Sequence, residues 1–112
     1  MHELSVCRAL LREAMRAAGA EGPPLRSVTV RIGPLSGVDA GLLARAWPTL
    51  SAADLLIEAA PLRVSCEACG TESAVTPQDL TCRACGDWRT RLLGGDELLL
   101  VRIGLEAEDA HV

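Results

Sequence analysis

Four of the five cysteines in this chain form two short pairs whose spacing suits a metal ion. The first pair reads Cys-Glu-Ala-Cys-Gly over residues 66–70, and the second reads Cys-Arg-Ala-Cys-Gly over residues 82–86. Two such turns can present four thiolates at the corners of a tetrahedron, which Zn²⁺ accepts at ~2.3 Å per sulfur. The glycine after each pair predicts a turn with positive φ. We therefore predict a structural zinc site with these ligands: Cys66, Cys69, Cys82 and Cys85.

Other uses of these cysteines stay open from the spacing alone, namely a pair of disulfides or a redox or iron site. Cys7 is the one cysteine outside the pairs, and its position on an apolar helical stripe predicts a small buried hydrophobe. Zinc-spaced cysteines with one left over favour a reduced protein in the cytoplasm. His111 has no co-ligand near it in the sequence and is predicted to take no part in metal binding.

The composition predicts one small domain, or one domain with a small inserted module, with an aliphatic core. The chain has 112 residues, of which 49% are hydrophobic, but it has no Phe or Tyr and two Trp. A zinc cross-link would add folding free energy where apolar burial is thin. Trp88, just after the second cysteine pair, is predicted to pack against the zinc module, because a tryptophan can bury a large area.

The charge balance disfavours a nucleic-acid partner. The formal net charge is −4, and the eleven basic residues are all arginines scattered along the chain. Binding to a phosphate backbone needs a clustered basic surface. No apolar run approaches the ~20 residues that span a bilayer, and charged residues interrupt the N-terminal stretch where a signal peptide would lie. We therefore predict neither a nucleic-acid nor a membrane partner.

Hydrophobic periodicity predicts an α+β fold. Apolar residues three and four apart predict a helix over residues 4–18, and alternation predicts a half-buried strand over residues 26–33. A shorter helix should follow Asp39 and end or kink near Trp47, because Pro48 removes a backbone donor. Further strands are predicted at these positions: residues 55–59, 88–93 and 97–105.

The predicted architecture is two helices on a small three-stranded sheet, interrupted by the four-cysteine zinc module. The boundaries that this order of elements implies are residues 1–61 with 95–112 for the α+β domain, and residues 62–94 for the zinc-binding module.

The N-terminus carries a second candidate metal site. Methionine is normally retained before a bulky residue, so the free amine should belong to Met1. That amine, the backbone amide of His2 and the imidazole of His2 can converge on one ion through fused chelate rings. Nitrogen donors in a square plane favour Ni²⁺ or Cu²⁺ over zinc, and the amide must lose its proton, so binding strengthens as the pH rises.

The sequence resembles the HypA/HybF family of nickel metallochaperones, which mature [NiFe] hydrogenases. The resemblance rests on Met-His-Glu-Leu-Ser-Val-Cys at residues 1–7, Val-Arg-Ile-Gly at residues 30–33, Leu-Ser-Gly-Val at residues 35–38 and the two cysteine pairs. It covers nearly the whole chain in consistent order, and the combination of the N-terminal motif with four cysteines is specific.

The resemblance implies residue roles beyond those read from the spacing. His2 would be the main nickel ligand, with the Met1 amine beside it, and Glu3 would contribute its backbone or its carboxylate. Asp39 matches the position of a nearby family carboxylate, although it also fits a helix N-cap. The resemblance further implies delivery of Ni(II) through a HypB-type GTPase to the hydrogenase large subunit, and a homodimer is possible within that role.

Three features depart from the family pattern. Pro34 stands where the family often has an acidic residue, and residues 47–55 form a shorter segment that carries Pro48. No histidine lies between His2 and His111, so a histidine ligand in the zinc module is not expected.

We expect a non-enzymatic protein, since no Ser/His/Asp set, phosphate loop or acid–base pair is present. Two alternatives are a zinc-ribbon module binding protein or nucleic acid, and a thiol redox protein.

Overall fold

The computed structural model describes residues 2–19 and 22–106. For His2 it describes the backbone and not the side chain. Met1, the imidazole of His2 and His111 lie outside the described part of the chain. The elements in chain order are α1 (His2–Ala18), β1 (Leu25–Ile32), α2 (Ala40–Ala46), a 3₁₀ turn (Trp47–Thr49), β2 (Asp54–Ala59), β3 (Arg63–Cys66), β4 (Glu72–Ala74), β5 (Thr90–Gly94) and β6 (Leu98–Leu105).

The chain divides into two compact units. The first contains residues 1–31, 38–58 and 99–112, and the second contains residues 32–37 and 59–98. The cysteine-bearing unit therefore extends past residues 62–94 and includes the turn after β1. The predicted division into a discontinuous α+β domain and a zinc-binding module stays a prediction.

Helix α1 forms where the periodicity predicts it and begins two residues earlier. Its most buried positions are Cys7, Leu10 and Ala14, which lie three and four residues apart. Met15 belongs to the predicted apolar stripe but is 57% exposed. The buried face is centred on Cys7, Leu10 and Ala14, so Met15 lies at the edge of the predicted stripe that faces away from the core. Gly19 ends the helix with φ +89°, and its amide donates to the Met15 carbonyl at 3.1 Å.

Helix α2 confirms the predicted short helix and its termination near Trp47. Asp39 is its N-cap, since the Asp39 Oδ1 accepts a hydrogen bond from the Leu42 amide at 3.0 Å. Pro48 lies in the 3₁₀ turn that follows, where its missing amide costs little. Trp47 is 2% exposed, and its indole Nε1 donates to the Ala53 carbonyl at 2.8 Å.

The predicted three-stranded sheet is present in the order β2-β1-β6. Strand β1 is central, and Val28 and Val30 are fully buried. Thr29 between them is also buried, so the prediction of a half-buried strand is wrong at this position. A central strand has no free edge, and here burial reaches both faces.

A second sheet in the order β4-β3-β5 lies in the cysteine-bearing unit, and of its three strands only β5 was predicted. Both pairings with β3 are antiparallel, and Val64 lies opposite Ser73 on β4 and Leu92 on β5. Strand β3 ends at Cys66, so this sheet positions the first metal-ligand candidate.

The turn after β1 contacts the end of the cysteine-bearing segment within the second unit. The Gly33 amide donates to the Glu97 carbonyl at 2.9 Å, and the Leu35 amide donates to the Gly95 carbonyl at 2.7 Å. A Cβ at Gly33 would overlap the Gly95 carbonyl, so this approach requires glycine. Pro34 occupies the second position of a β-turn closed by the Ser36 amide on the Gly33 carbonyl, a position that suits proline.

Candidate metal site

The fold brings the four predicted zinc ligands into one cluster. Their sulfur atoms all lie within 4.8 Å of one another. The close pairs cross between the two turns, with Cys66 Sγ 3.7 Å from Cys85 Sγ and Cys69 Sγ 3.6 Å from Cys82 Sγ. No other cluster of three or more candidate metal ligands occurs in the described part of the chain.

The two cysteine turns have the same backbone structure. In the first, the Gly70 amide donates to the Cys66 carbonyl at 2.9 Å, and in the second the Gly86 amide donates to the Cys82 carbonyl at 2.9 Å. Both glycines have positive φ, +77° and +80°, as predicted. The repeat explains why the same Cys-x-Ala-Cys-Gly sequence occurs twice.

Backbone amides point at the first sulfur of each turn. The Ala68 and Cys69 amides approach Cys66 Sγ at 3.3 and 3.4 Å. The Ala84 and Cys85 amides approach Cys82 Sγ at 3.3 and 3.5 Å. Amide donors of this kind stabilise a thiolate, which is the form that binds a metal.

The arrangement fits a tetrahedral Zn(II). Four sulfurs at ~2.3 Å from a central ion lie ~3.8 Å apart, close to the observed separations of 3.6 and 3.7 Å. Four protein ligands fill every corner of the tetrahedron, so the site is closed and structural rather than catalytic or exchangeable. Two disulfides would need sulfurs ~2.05 Å apart, and all four cysteines are free thiols here.

The thiols of the cluster differ in acidity. Hydrogen bonding from the Cys85 amide is the largest influence on Cys82 and lowers the pKa of its thiol to about 6. The Thr71 hydroxyl, 3.3 Å from the sulfur of Cys69, lowers the pKa of that thiol. At Cys85 the Asp87 amide lowers the pKa, but neighbouring thiols and burial outweigh it and raise the pKa to about 12. A bound divalent cation would remove this difference, because a coordinating thiol is deprotonated.

Residues outside the two motifs support the cluster, and sequence reasoning missed them. Ser73 on β4 is 6% exposed, and its Oγ accepts a hydrogen bond from the Arg83 amide at 3.3 Å, which ties the second turn to the sheet. Asp87 accepts from the Arg89 amide and guanidinium through its carboxylate and from the Cys82 amide through its carbonyl. A hydroxyl or carboxylate two residues after a cysteine is the weak signal that could have found Thr71 and Asp87.

Trp88 does not pack against the module. It is 77% exposed, so the prediction that it buries area there is wrong. The Asp87–Arg89 interaction and the sheet hold this segment without the indole.

The second predicted site has two described members, Glu3 and Asp39, and the fold brings them together. The Asp39 amide donates to Glu3 Oε2 at 3.4 Å, although the residues are 36 apart in sequence. The Glu3 side chain is buried, with 7% exposure. The Met1 amine and the His2 imidazole, the other predicted nickel ligands, lie outside the described residues.

Cys7 lies in the same part of the first unit and is buried as predicted. Its sulfur is 3.6 Å from the Leu43 carbonyl oxygen, to which the thiol donates. Burial, and then the negative charge of Glu3, raise the pKa of this thiol. Cys7 is therefore packed in the core with its thiol protonated, as expected of a small buried hydrophobe.

Among the described residues, no helix is both long and apolar enough to cross a bilayer.

Comparison with known proteins identifies relatives over nearly the whole chain. The family described as "Hydrogenase/urease nickel incorporation, metallochaperone, hypA" matches residues 1–105. The chain is 46% identical over 112 residues to the hydrogenase maturation factor HypA of Nitrosospira multiformis, covering 94% of this chain and 97% of that protein. It is 34% identical over 116 residues to HypA of Shewanella baltica strain OS223, covering 97% and 99%.

A solved structure supports the fold. The solution structure of the Ni metallochaperone HypA from Helicobacter pylori has a TM-score of 0.64 at 24% identity, covering 94% of this chain and 97% of that one. The α+β architecture of this chain is therefore shared with a solved structure. Since the family match begins at the first residue and includes both the N-terminal motif and the cysteine pairs, this chain belongs to the HypA family of nickel metallochaperones.

Proposed function

We propose that this chain binds Ni(II) at its N-terminus and helps to insert it into [NiFe] hydrogenase, with zinc held in the cysteine cluster. The observation that carries the proposal is the family match, which spans residues 1–105 and is described by nickel incorporation. The cysteine cluster is closed, with its ligands all supplied by the chain. A cargo ion has to leave, so it needs a separate site that opens without unfolding the protein.

The proposed nickel ligands are the Met1 amine, the His2 amide and imidazole, and a donor from Glu3. Consecutive nitrogen donors at a chain terminus form fused chelate rings, and such a set favours Ni²⁺ over Zn²⁺. A terminal site also meets the requirement for transfer, because few packed contacts break when it opens.

The geometry of Glu3 favours a backbone contribution to nickel. Its carboxylate is buried and already accepts a hydrogen bond from the Asp39 amide. Asp39 accepts the N-cap hydrogen bond of α2 through Oδ1, so Oδ2 is the oxygen that we propose as a ligand to the nickel ion. In this proposal, the Glu3 side chain positions the terminus and Asp39 is an accessory carboxylate.

The partners follow from the proposed role. A non-enzymatic carrier would receive Ni(II) from a HypB-type GTPase, or share it with one, and deliver it to the hydrogenase large subunit; a homodimer is compatible with this role. The four reduced, metal-spaced thiols support the cytoplasm as the place where this occurs.

The alternative, a zinc-ribbon module for nucleic acid, has little electrostatic support. Five arginines are neutralised by ion pairs with carboxylates among the described residues. The five are Arg31, Arg63, Arg83, Arg89 and Arg102. Together with a net charge of −4, this pairing reduces the basic surface that the described residues can offer to a phosphate backbone.

The proposal is tested by calorimetric titration of Ni(II) into the zinc-loaded protein. The His2→Ala variant should lose at least tenfold in affinity, about 1.4 kcal/mol. His111→Ala is the matched control, because it removes the other histidine, and it should bind like the parent. Zinc content should stay at one ion per chain in all three proteins. Equal nickel affinity in His2→Ala and the parent would overturn the N-terminal site.

A further inference from the structure

A wide groove borders the C-terminal half of α1, within the first compact unit. It has a volume of about 860 Å³, which is within the range of ligand-binding pockets. Leu11 and Met15 on α1 line it, together with residues 22–25 and residues 50–53. None of these residues belongs to either proposed metal site.

The groove exposes apolar surface that the core does not use. The buried face of α1 is formed by Cys7, Leu10 and Ala14. Leu11 and Met15, which line the groove, lie on a neighbouring face of the same helix. Met15, one of the lining residues, is 57% exposed. Further apolar residues share the lining with Met15, namely Leu11, Pro23, Pro24, Leu25 and Leu50. A contiguous apolar surface in a groove is a typical feature of a binding site.

Two arginines give the groove a charge opposite to that of the whole chain. Arg12 and Arg16 both line it, and they lie one helical turn apart, about 6 Å along the axis. Both side chains are exposed, and neither forms an ion pair with any residue that the structure describes. Glu106 is the one carboxylate among the lining residues, whereas the chain as a whole carries a net charge of −4.

We propose that this groove binds a peptide segment of a partner protein in which apolar side chains are flanked by carboxylates. The apolar side chains would contact Leu11 and Met15, and the carboxylates would pair with Arg12 and Arg16, which can each bind a carboxylate through two hydrogen bonds. A second copy of this chain is a poorer occupant, because a two-fold contact through this groove would bring the arginine pairs of both copies together. A nucleic acid would be repelled by the net charge.

The position of the groove separates docking from metal transfer. Arg16 follows His2 by 14 residues on the same helix, which corresponds to about 20 Å along the axis. A partner segment held at the arginine end therefore leaves the opposite end of α1 accessible. This surface does not depend on the proposed nickel ligands, so it can be tested without nickel.

The test uses random 12-residue peptides displayed on phage and panned against the zinc-loaded protein. Enriched sequences should combine Asp or Glu with Leu, Met or Phe. An enriched peptide, synthesised with a fluorescein label, should bind the Arg12→Glu/Arg16→Glu double variant at least tenfold more weakly by anisotropy. The Arg45→Glu/Arg91→Glu double variant is the matched control, because it makes the same total charge change at two exposed positions outside the groove, and it should bind like the parent.

A charge-swapped peptide gives a second readout that does not depend on a loss of binding. Replacing its acidic residues by Lys should weaken binding to the parent and restore binding to the Arg12→Glu/Arg16→Glu variant. Circular dichroism and zinc content show whether each variant is folded. The proposal would be overturned if panning enriched no peptide, or if the enriched peptide bound the Arg12→Glu/Arg16→Glu variant as tightly as the parent. It would also be overturned if no peptide bound while decanoate, a fatty acid, displaced an apolar anionic dye from the groove. That last result would identify a small-molecule site instead.

Discussion

The Glu3 carboxylate accepts a hydrogen bond from the Asp39 amide at 3.4 Å and so connects the first turn of α1 to the N-cap of α2. Glu3 is 7% exposed, and a carboxylate in such a place needs partners to offset the loss of its hydration. Asp39 in turn caps α2 through its own side chain. The two acidic residues implied by the family resemblance are thus neighbours because of packing, whether or not both approach a nickel ion.

Replacing Glu3 should separate its positioning role from a role as a carboxylate ligand. Glu3→Ala removes the acceptor for the Asp39 amide and should lower the free energy of unfolding by about 1–3 kcal/mol. Glu3→Gln keeps an acceptor oxygen, so it should retain most of the nickel affinity. Urea denaturation and nickel calorimetry measure the two effects, with the exposed Glu13→Ala as the control on the same helix. Complete loss of nickel binding in Glu3→Gln would instead assign the carboxylate to the metal.

Removing zinc should unfold the second compact unit before the first. The cysteine cluster joins β3 to the loop that carries Cys82 and Cys85, and zinc binding to such a segment contributes directly to its folding free energy. Hydrogen exchange after chelation should therefore increase over residues 63–94, while residues 4–18 keep their protection.

Cys82→Ser should give the same pattern, and Cys7→Ser is its control. Cys7 is buried outside the cluster, and a serine hydroxyl there can still donate to the Leu43 carbonyl, so this variant should keep one zinc ion per chain. Simultaneous loss of protection throughout the chain would contradict the predicted division into two domains.

The two tryptophans should respond in opposite ways to substitution and to quenching. Trp47→Phe leaves the buried Ala53 carbonyl without its indole donor and should cost about 1–3 kcal/mol of stability. Trp88→Phe changes an exposed side chain and should stay within about 0.5 kcal/mol. Iodide should quench the fluorescence of Trp47→Phe strongly and that of Trp88→Phe weakly. A protected Trp88 would show that this surface is covered in solution.

Glu58 should make the first sheet sensitive to acid. Hydrogen bonds from Arg102 on β6 and then from Arg31 on β1 lower the pKa of this β2 carboxyl below its usual value. Because the folded pKa lies below the unfolded one, the ionised form stabilises the sheet above the unfolded pKa. This contribution is lost as the pH falls through the folded pKa.

The measurement is a carbon-detected NMR titration of the Glu58 carboxyl. Arg102→Ala should move the pKa back toward 4.5, the value without these partners. Arg45→Ala, which removes a cation elsewhere in the first unit, should leave it unchanged. The ion pairs are solvent-exposed, so added salt should reduce the difference between parent and Arg102→Ala.

Local sequence patterns predicted most of the elements. Helix α1 and strand β1 follow from apolar spacings of three to four and of two residues, since these periods place one row of side chains on one face. Pro48 predicted the end of α2 through its missing amide, and the repeated glycines predicted both cysteine turns through their positive φ. Strands β3 and β4, four and three residues long, were missed because such short segments carry no clear period.

The sequence by itself determined the zinc ligands, because a Cys-x-x-Cys turn is built from neighbouring residues and its geometry is local. It could not determine that Trp47 is buried and Trp88 exposed, or that Met15 leaves the core while Thr29 enters it. Those outcomes depend on which elements meet, and so on contacts between residues far apart in the chain. The hydrogen bond between Glu3 and Asp39 is of the same kind, since only the packing of α1 with α2 brings together two residues 36 positions apart.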